Sequence, residues 1–236
     1  MRKDYYFIFK GINSKKYGIE IAKFYPITKP QKNIEAISIP GRGNDVHIDY
    51  GTYNSYALTI ECVINPFSRN KQNIDNIIAW LDGFGDLITS QEPDKIYEAV
   101  IFQPFDIADI IWVFPKFLIT FNVQPLKKSV NYVNEHIEIS KKGIVNNIGT
   151  VKSLPKITIY GTGDVTLIVN NDEFTIKNIE EFIVIDSEFL EVYKNNTSQN
   201  NKYTNFSFPS FELGKNIVDF KGNVKKIIIE PNWRWI

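Results

Sequence analysis

Tyr56-Ala57-Leu58-Thr59-Ile60-Glu61-Cys62-Val63-Ile64 is the stretch on which the reading of this chain turns. Tyr56, Leu58, Ile60, Cys62 and Ile64 fall on one side of a two-residue period, with Ala57, Thr59, Glu61 and Val63 on the other. That alternation predicts a half-buried β-strand with one face toward a core. Phe117, Ile119, Phe121 and Val123 repeat it, with Thr120 and Asn122 opposed. Between the two strands the period changes. After Pro66 and Phe67, Ser68 is placed to cap a helix, and Ile74, Ile77, Ile78 and Leu81 recur at i, i+3, i+4 and i+7. Gly83 stands where a left-handed C-terminal cap belongs. The spacing predicts one helix over residues 68–82, about 20 Å long, with Asp75 and Asp82 left in water. A single helix among strands predicts a sheet packed on a helix, not a doubly wound fold.

Composition points the same way. Within 236 residues, Ile outnumbers Leu and Ala is scarce, a balance that suits pleated surfaces better than helices. A hydrophobic share of 43% excludes wholesale disorder. Lys plus Arg and Asp plus Glu are each 27, so there is no cationic excess of the kind an electrostatic nucleic-acid binder needs. Cys62 is the sole cysteine, which rules out an intramolecular disulfide and a cysteine-rich zinc site. The apolar run after Met1 is too short for a signal peptide, and no stretch approaches the roughly 18 apolar residues of a membrane helix. A soluble protein made in the cytoplasm is expected.

Further along, Ile157–Tyr160 and Val165–Val169 flank Gly161-Thr162-Gly163-Asp164, which reads as a hairpin turn. Asn170-Asn171-Asp172-Glu173 reads as a second turn, leading to Phe174-Thr175-Ile176. Phe182–Ile185, Phe189–Tyr193 and Val224–Ile229 are further strand candidates. The polar, glycine-bearing stretch Lys141–Pro155 marks the expected boundary between two domains. Residues 1–145 form the first, 150–225 a small β-sandwich, and 226–236 a terminal strand. Lys194–Asn205 is polar enough for a mobile surface loop. Ile227-Ile228-Ile229, a continuous run, suggests a strand buried on both faces.

Chemistry is scarce. His47 and His136 belong to no His-x-x-x-His pair, and Cys62 lies in the apolar phase of its strand, as a small core hydrophobe does. Gly161-x-Gly163 lacks the third glycine and the helix of a dinucleotide loop. Gly41-Arg42-Gly43 reads as a tight loop presenting Arg42. The carboxylate pairs Asp106 with Asp109, Glu180 with Glu181, and Asp186 with Glu188 read as solvated surface groups rather than a glycosidase acid and base. No catalytic residue, cofactor or metal is expected. Binding is the better class: Tyr160, Tyr193, Tyr203, Trp233 and Trp235 suit either sugar stacking or a protein interface. A frayed tail rarely carries two tryptophans, so Trp233-Arg234-Trp235-Ile236 is expected to be tied down.

The order of motifs resembles the phage distal tail proteins. Ser38-Ile39-Pro40-Gly41-Arg42-Gly43-Asn44-Asp45 with Asp49-Tyr50-Gly51-Thr52-Tyr53 is similar to that family's Pro-Gly-Arg loop and the stretch after it. Ala79-Trp80-Leu81, Gly85-Asp86-Leu87-Ile88, and Phe121-Asn122-Val123-Gln124-Pro125-Leu126-Lys127 follow in family order. So do Pro155–Ile159, Gly161-Thr162-Gly163, Ile185-Asp186-Ser187, Phe208-Pro209, Gly214-Lys215-Asn216 and Pro231-Asn232-Trp233-Arg234. The resemblance implies a mainly β protein: an N-terminal tail-tube-like β-barrel or sandwich with one α-helix, and a C-terminal galectin-like β-sandwich. In the family the last strand of some members returns to the N-terminal domain. It implies a virion structural protein at the tail tip or baseplate, forming a homohexameric ring around the channel through which DNA passes without sequence-specific contact. The implied partners are the tail tube protein, the tape-measure C-terminal region, and tail-associated lysin or receptor-binding baseplate proteins. Arg42, Trp80, Trp233 and Trp235 are the candidate interface residues. The competing reading is a stand-alone carbohydrate-binding β-sandwich.

Overall fold

The computed structural model describes residues 5–68, 70–105, 116–131 and 135–236. The chain divides into two units at Lys127/Lys128, with Ile236 grouped with the first. The first unit holds β1 (Phe7–Phe9), β2 (Ile12–Asn13), β3 (Ile19–Ile21), β4 (Lys32–Ile37), β5 (Val46–Tyr53), β6 (Tyr56–Ile64), helix α1 (Lys71–Trp80), β7 (Gly83–Thr89), β8 (Glu92–Ile101) and β9 (Lys116–Val123). Seven of these strands join antiparallel in the order β2-β1-β7-β8-β9-β6-β3. The alternating segments named above are β6 and β9, and they are neighbours: Leu58 faces Phe121, Ile60 faces Ile119 and Cys62 faces Phe117. All six side chains are buried. Each such residue contributes about 1.5–3 kcal/mol by leaving water.

α1 differs from expectation in its start and its buried face. Asn70, not Ser68, is the cap: its side chain accepts from Asn73 N at 2.9 Å. The buried residues are Ile77, Trp80 and Leu81, while Ile78 is 51% exposed. The helix is rotated to seat Trp80, whose indole stacks on Phe7 at 5.5 Å and donates to Phe9 O at 2.9 Å. Gly83 does adopt a left-handed conformation (φ 78°), but it opens β7, and Leu81 caps the helix. Asp75 and Asp82 are exposed, as expected.

The second unit holds β10 (Lys127–Ser129), which begins at the division, then β11 (Ile137–Ile139), β12 (Gly143–Asn147), β13 (Lys156–Val169), β14 (Asp172–Asp186), β15 (Glu191–Lys194), β16 (Thr197–Ser198), β17 (Gly214–Glu230) and β18 (Arg234–Trp235). β18 pairs with β10, and the main sheet runs β11-β17-β13-β14-β15-β16 with β12 also on β17. Here the sequence misleads in four places. Gly161–Asp164 is not a hairpin turn: β13 runs straight through it, with shifts of register against both neighbours. Gly161 lies so close to β17 that an added Cβ would fall 2.4 Å from Asn223 O. Across the sheet β14 is irregular at Asn178 (φ 50°) and Glu181 (φ 72°), and β17 at Gly222 (φ 108°). These bulges bend all three long strands at one level. An extra residue keeps Phe174 and Ile176, even-numbered, on the same face as Ile179, Ile183 and Ile185, odd-numbered. Both halves of each strand therefore share one core, with Val165, Leu167 and Val169 in the same cluster as Ile157 and Ile159.

The stretch Lys141–Pro155 is no linker. β11 and β12 lie in line along β17, Ile137 opposite Ile229 and Gly143 opposite Val218. Lys141 and Lys142 interrupt a single edge strand, so the polar signal was that of an edge facing water. Lys194–Asn205 is likewise built: Asn200 Oδ1 accepts from Val192 N at 2.6 Å and Asn205 Oδ1 from Thr175 N at 2.8 Å. Ile227 and Ile229 are buried, whereas Ile228 turns to the other face and is half-buried. The Asn170-Asn171 turn joins β13 to β14 as expected, and Phe189 lies before β15, exposed.

Candidate assembly surfaces

Among the described residues, β4 and β5 pair with each other and with no other strand. Their cross-strand partners put Glu35 opposite Ile48 and Ile37 opposite Val46, so Ile37, Val46, Ile48 and Tyr50 share one face with Glu35. Ile37, Ile48 and Tyr50 are 38%, 39% and 52% exposed. The opposite face carries Ile34 and Ala36 together with His47 and the Lys32–Asp49 ion pair. The lysine beside Asp49 draws its carboxyl below the usual range, and the Tyr50 hydroxyl donates to Glu35, which raises the phenol. A lone two-stranded hairpin is marginal in water. The apolar stripe of this one is open to water among the described residues. Arg42 sits at its tip, exposed, in a turn closed by Arg42 N to Ile39 O at 3.0 Å beside left-handed Gly41. The hairpin was legible: Val46, Ile48 and Tyr50 alternate with His47 and Asp49, a short period-two run.

The tryptophans occupy other roles. Trp80 is 5% exposed and locked to Phe7 and Phe9, so the expectation that it presents an interface is corrected: its indole is core. Trp233 is 2% exposed, near Phe211 at 6.1 Å, and its Nε1 donates to Glu135 Oε1 at 2.8 Å. It too is core rather than interface. Trp235 is half-buried against the same core on β18. Trp233 and Trp235 are tied down on the core of the second unit.

Several of the groups weighed for chemistry have structural roles. Cys62 is free and fully buried, and burial pushes its thiol far up. Asp186 Oδ1 accepts from the backbone of Glu188 and Phe189, shaping a turn. Glu180 and Glu181 are exposed, with Lys194 Nζ bonded to the Glu180 carbonyl and 3.5 Å from the Glu181 carboxylate. Asp106 and Asp109 lie outside the described residues. His47 is exposed on β5, and His136 lies in a small cleft with Glu138, Tyr160 and Glu230. Among the described residues there is no cluster of metal-ligating side chains, and no helix is long and apolar enough to cross a membrane. The aromatics proposed for sugar are mostly engaged. Lys226 lies over Tyr160 and Lys194 over Phe182, and Tyr203 stacks on Phe208. Tyr193 lines an open polar cleft of about 660 Å³ with Phe189, Lys156, Asp186, Glu191 and Asn195.

No family model and no curated protein matches the chain. A solved structure does. The SPP1 Dit (gp 19.1) protein, described as a paradigm of the hub adsorption apparatus in phages infecting Gram-positive bacteria, superposes with a TM-score of 0.70. The match covers 95% of this chain and 97% of that one, at 11% identity. This chain has the Dit fold. The mainly β architecture implied by the order of motifs, with one α-helix among the described residues, is the architecture found. In the Dit fold of this chain, β4–β5 and the tip loop with Arg42 are exposed along their length.

Proposed function

We propose that the chain is a structural subunit of a phage tail or tail-like particle: a hub at the distal end, six copies closing into a ring around the channel and joining tail tube to baseplate or tip. The unpartnered apolar stripe of β4–β5 supports this most directly. A cyclic ring needs two different complementary patches on each subunit, and a projecting hairpin supplies one of them ready-made. Arg42, exposed at its tip, is the group proposed to meet a carboxylate on the neighbour. The tail tube protein, the tape-measure C-terminal region and lysin or receptor-binding components are the partners this role entails, and no group need be turned over.

Light scattering on the purified protein is expected to give a mass several times 27.3 kDa, and negative-stain microscopy a ring. Ile48→Ser with Tyr50→Ser should return the species to a folded monomer with an unchanged circular dichroism spectrum, since neither side chain packs on a core. A reconstructed particle from the producing strain with no density for this chain would overturn the proposal. The Tyr193 cleft favours one second reading, a glycan site on the C-terminal unit. Calorimetric glycan binding lost on Tyr193→Ala without unfolding would establish it.

A further inference from the structure

β12 and β17 lie side by side at the rim of the second unit's sheet, and their alternate residues part into two unlike faces. Val145, Asn147, Asn216 and Val218 are buried. On the reverse face Ile144 stands opposite Ile217, and Asn146 opposite Lys215. Ile144 is 66% exposed and Ile217 44%, while Ile148 and Leu213, the residues next along the two chains, are both 58% exposed. The order is an aliphatic pair, then a lysine, then two more aliphatic residues. Neighbouring lysines are engaged, Lys142 with Asp219 at 3.8 Å and Lys152 with Glu212 at 3.2 Å. Lys215 is exposed and has no ion pair among the described residues.

The β4–β5 hairpin presents the same arrangement with the charge reversed. Ile37 pairs across with Val46, and two residues back along β4 comes Glu35, opposite Ile48. Tyr50 follows on that face and donates its hydroxyl to Glu35, which has no ion pair among the described residues. On both faces the charge lies one same-face step, about 6.6 Å, from an aliphatic pair, with further apolar surface beyond it.

We propose that the exposed face of β12 and β17 is the seat for the β4–β5 hairpin of a second copy of this chain, with Ile37 and Val46 on Ile144 and Ile217, and Glu35 on Lys215. The inference deepens the assembly reading and rests on it, since a closed ring needs a second patch unlike the first. Opposite charges at matching steps select this occupant. Two lysine faces laid together, or two hairpin faces, would bring like charges together and gain no ion pair. A sugar would need directional polar partners, which four aliphatic side chains do not provide. Stacked face to face, the two strand pairs would interleave their aliphatic side chains as packed sheets do.

The test uses the full chain. Light and isotope-labelled protein are mixed as dilute subunits, concentrated until they assemble, and treated with a water-soluble carbodiimide, which joins a carboxylate to an amine in contact with it. Digestion and mass spectrometry should find an amide between Glu35 and Lys215 that links a light peptide to a heavy one. Glu35→Lys and Lys215→Glu should each raise the concentration for half-assembly, read by light scattering, about tenfold to a hundredfold, with an unchanged circular dichroism spectrum. The double variant should restore assembly. An assembled species without the mixed amide, an amide confined to like-labelled peptides, or a double variant as weak as the single ones overturns this contact and leaves the ring. A wild type with the mass of one subunit overturns both.

Discussion

Trp80 shows how one side chain sets the position of an element. Its ring fills the space between Phe7 and Tyr17, and its N–H satisfies Phe9 O, 71 residues away in sequence. Trp80→Phe keeps the aromatic contact but strands a buried carbonyl. We expect about 2 kcal/mol of lost stability, read as a lower urea midpoint. Cys62 should resist a thiol reagent at pH 8 in the native protein and react at once in denaturant. Burial also raises the Tyr56 phenol to about 12 from its ordinary value near 10. The folded state therefore holds that proton longer than the unfolded chain does. Its contribution to stability is whole below pH 10 and is lost as pH rises through 12. An absorbance titration should show exposed tyrosines ionising near 10 and a later step coincident with alkaline unfolding. At this scale the sequence was informative about phase and silent about partners. Alternation placed Cys62 in the core, while the helical spacing left Trp80 out of the buried stripe because its partner Phe9 lies on a distant strand.

At the scale of elements, the bend shared by β13, β14 and β17 governs the second unit. Gly222 combines a left-handed φ with a would-be Cβ contact of 2.5 Å to Asp164 O, whereas Gly163 has the left-handed φ and open space. Gly163→Ala should cost about 1–2 kcal/mol of backbone strain. Gly222→Ala should cost about 3 kcal/mol, since a backbone clash adds to it. Thermal unfolding of the two variants separates strain from crowding. These bulges explain why the strands were read as twice as many short ones. A bulged bend and a hairpin turn use the same residues, glycine and asparagine at positive φ, and only the cross-strand register tells them apart. Lys141–Gly143 was misread for a related reason: an interruption in an exposed edge is as polar as a linker.

For the whole molecule, the two cores draw on separate parts of the chain. Every buried residue of one lies at or before Val123 and every one of the other at or after Val145. A fragment beginning at Lys128 and running to Ile236 should therefore fold alone, giving a dispersed amide spectrum. Broad, collapsed signals would show that the units depend on each other. The general architecture was legible from alternation and motif order, because those record local period and sequence. The place of division was not, since it depends on which strands β11 and β12 find.

The β4–β5 hairpin has a bearing on timing. On the assembly proposed above, the limb would come to rest only against a neighbour, so completion of the object would follow the local number of copies, and the same limb would be the first seed of useless clumps if production outran its companions.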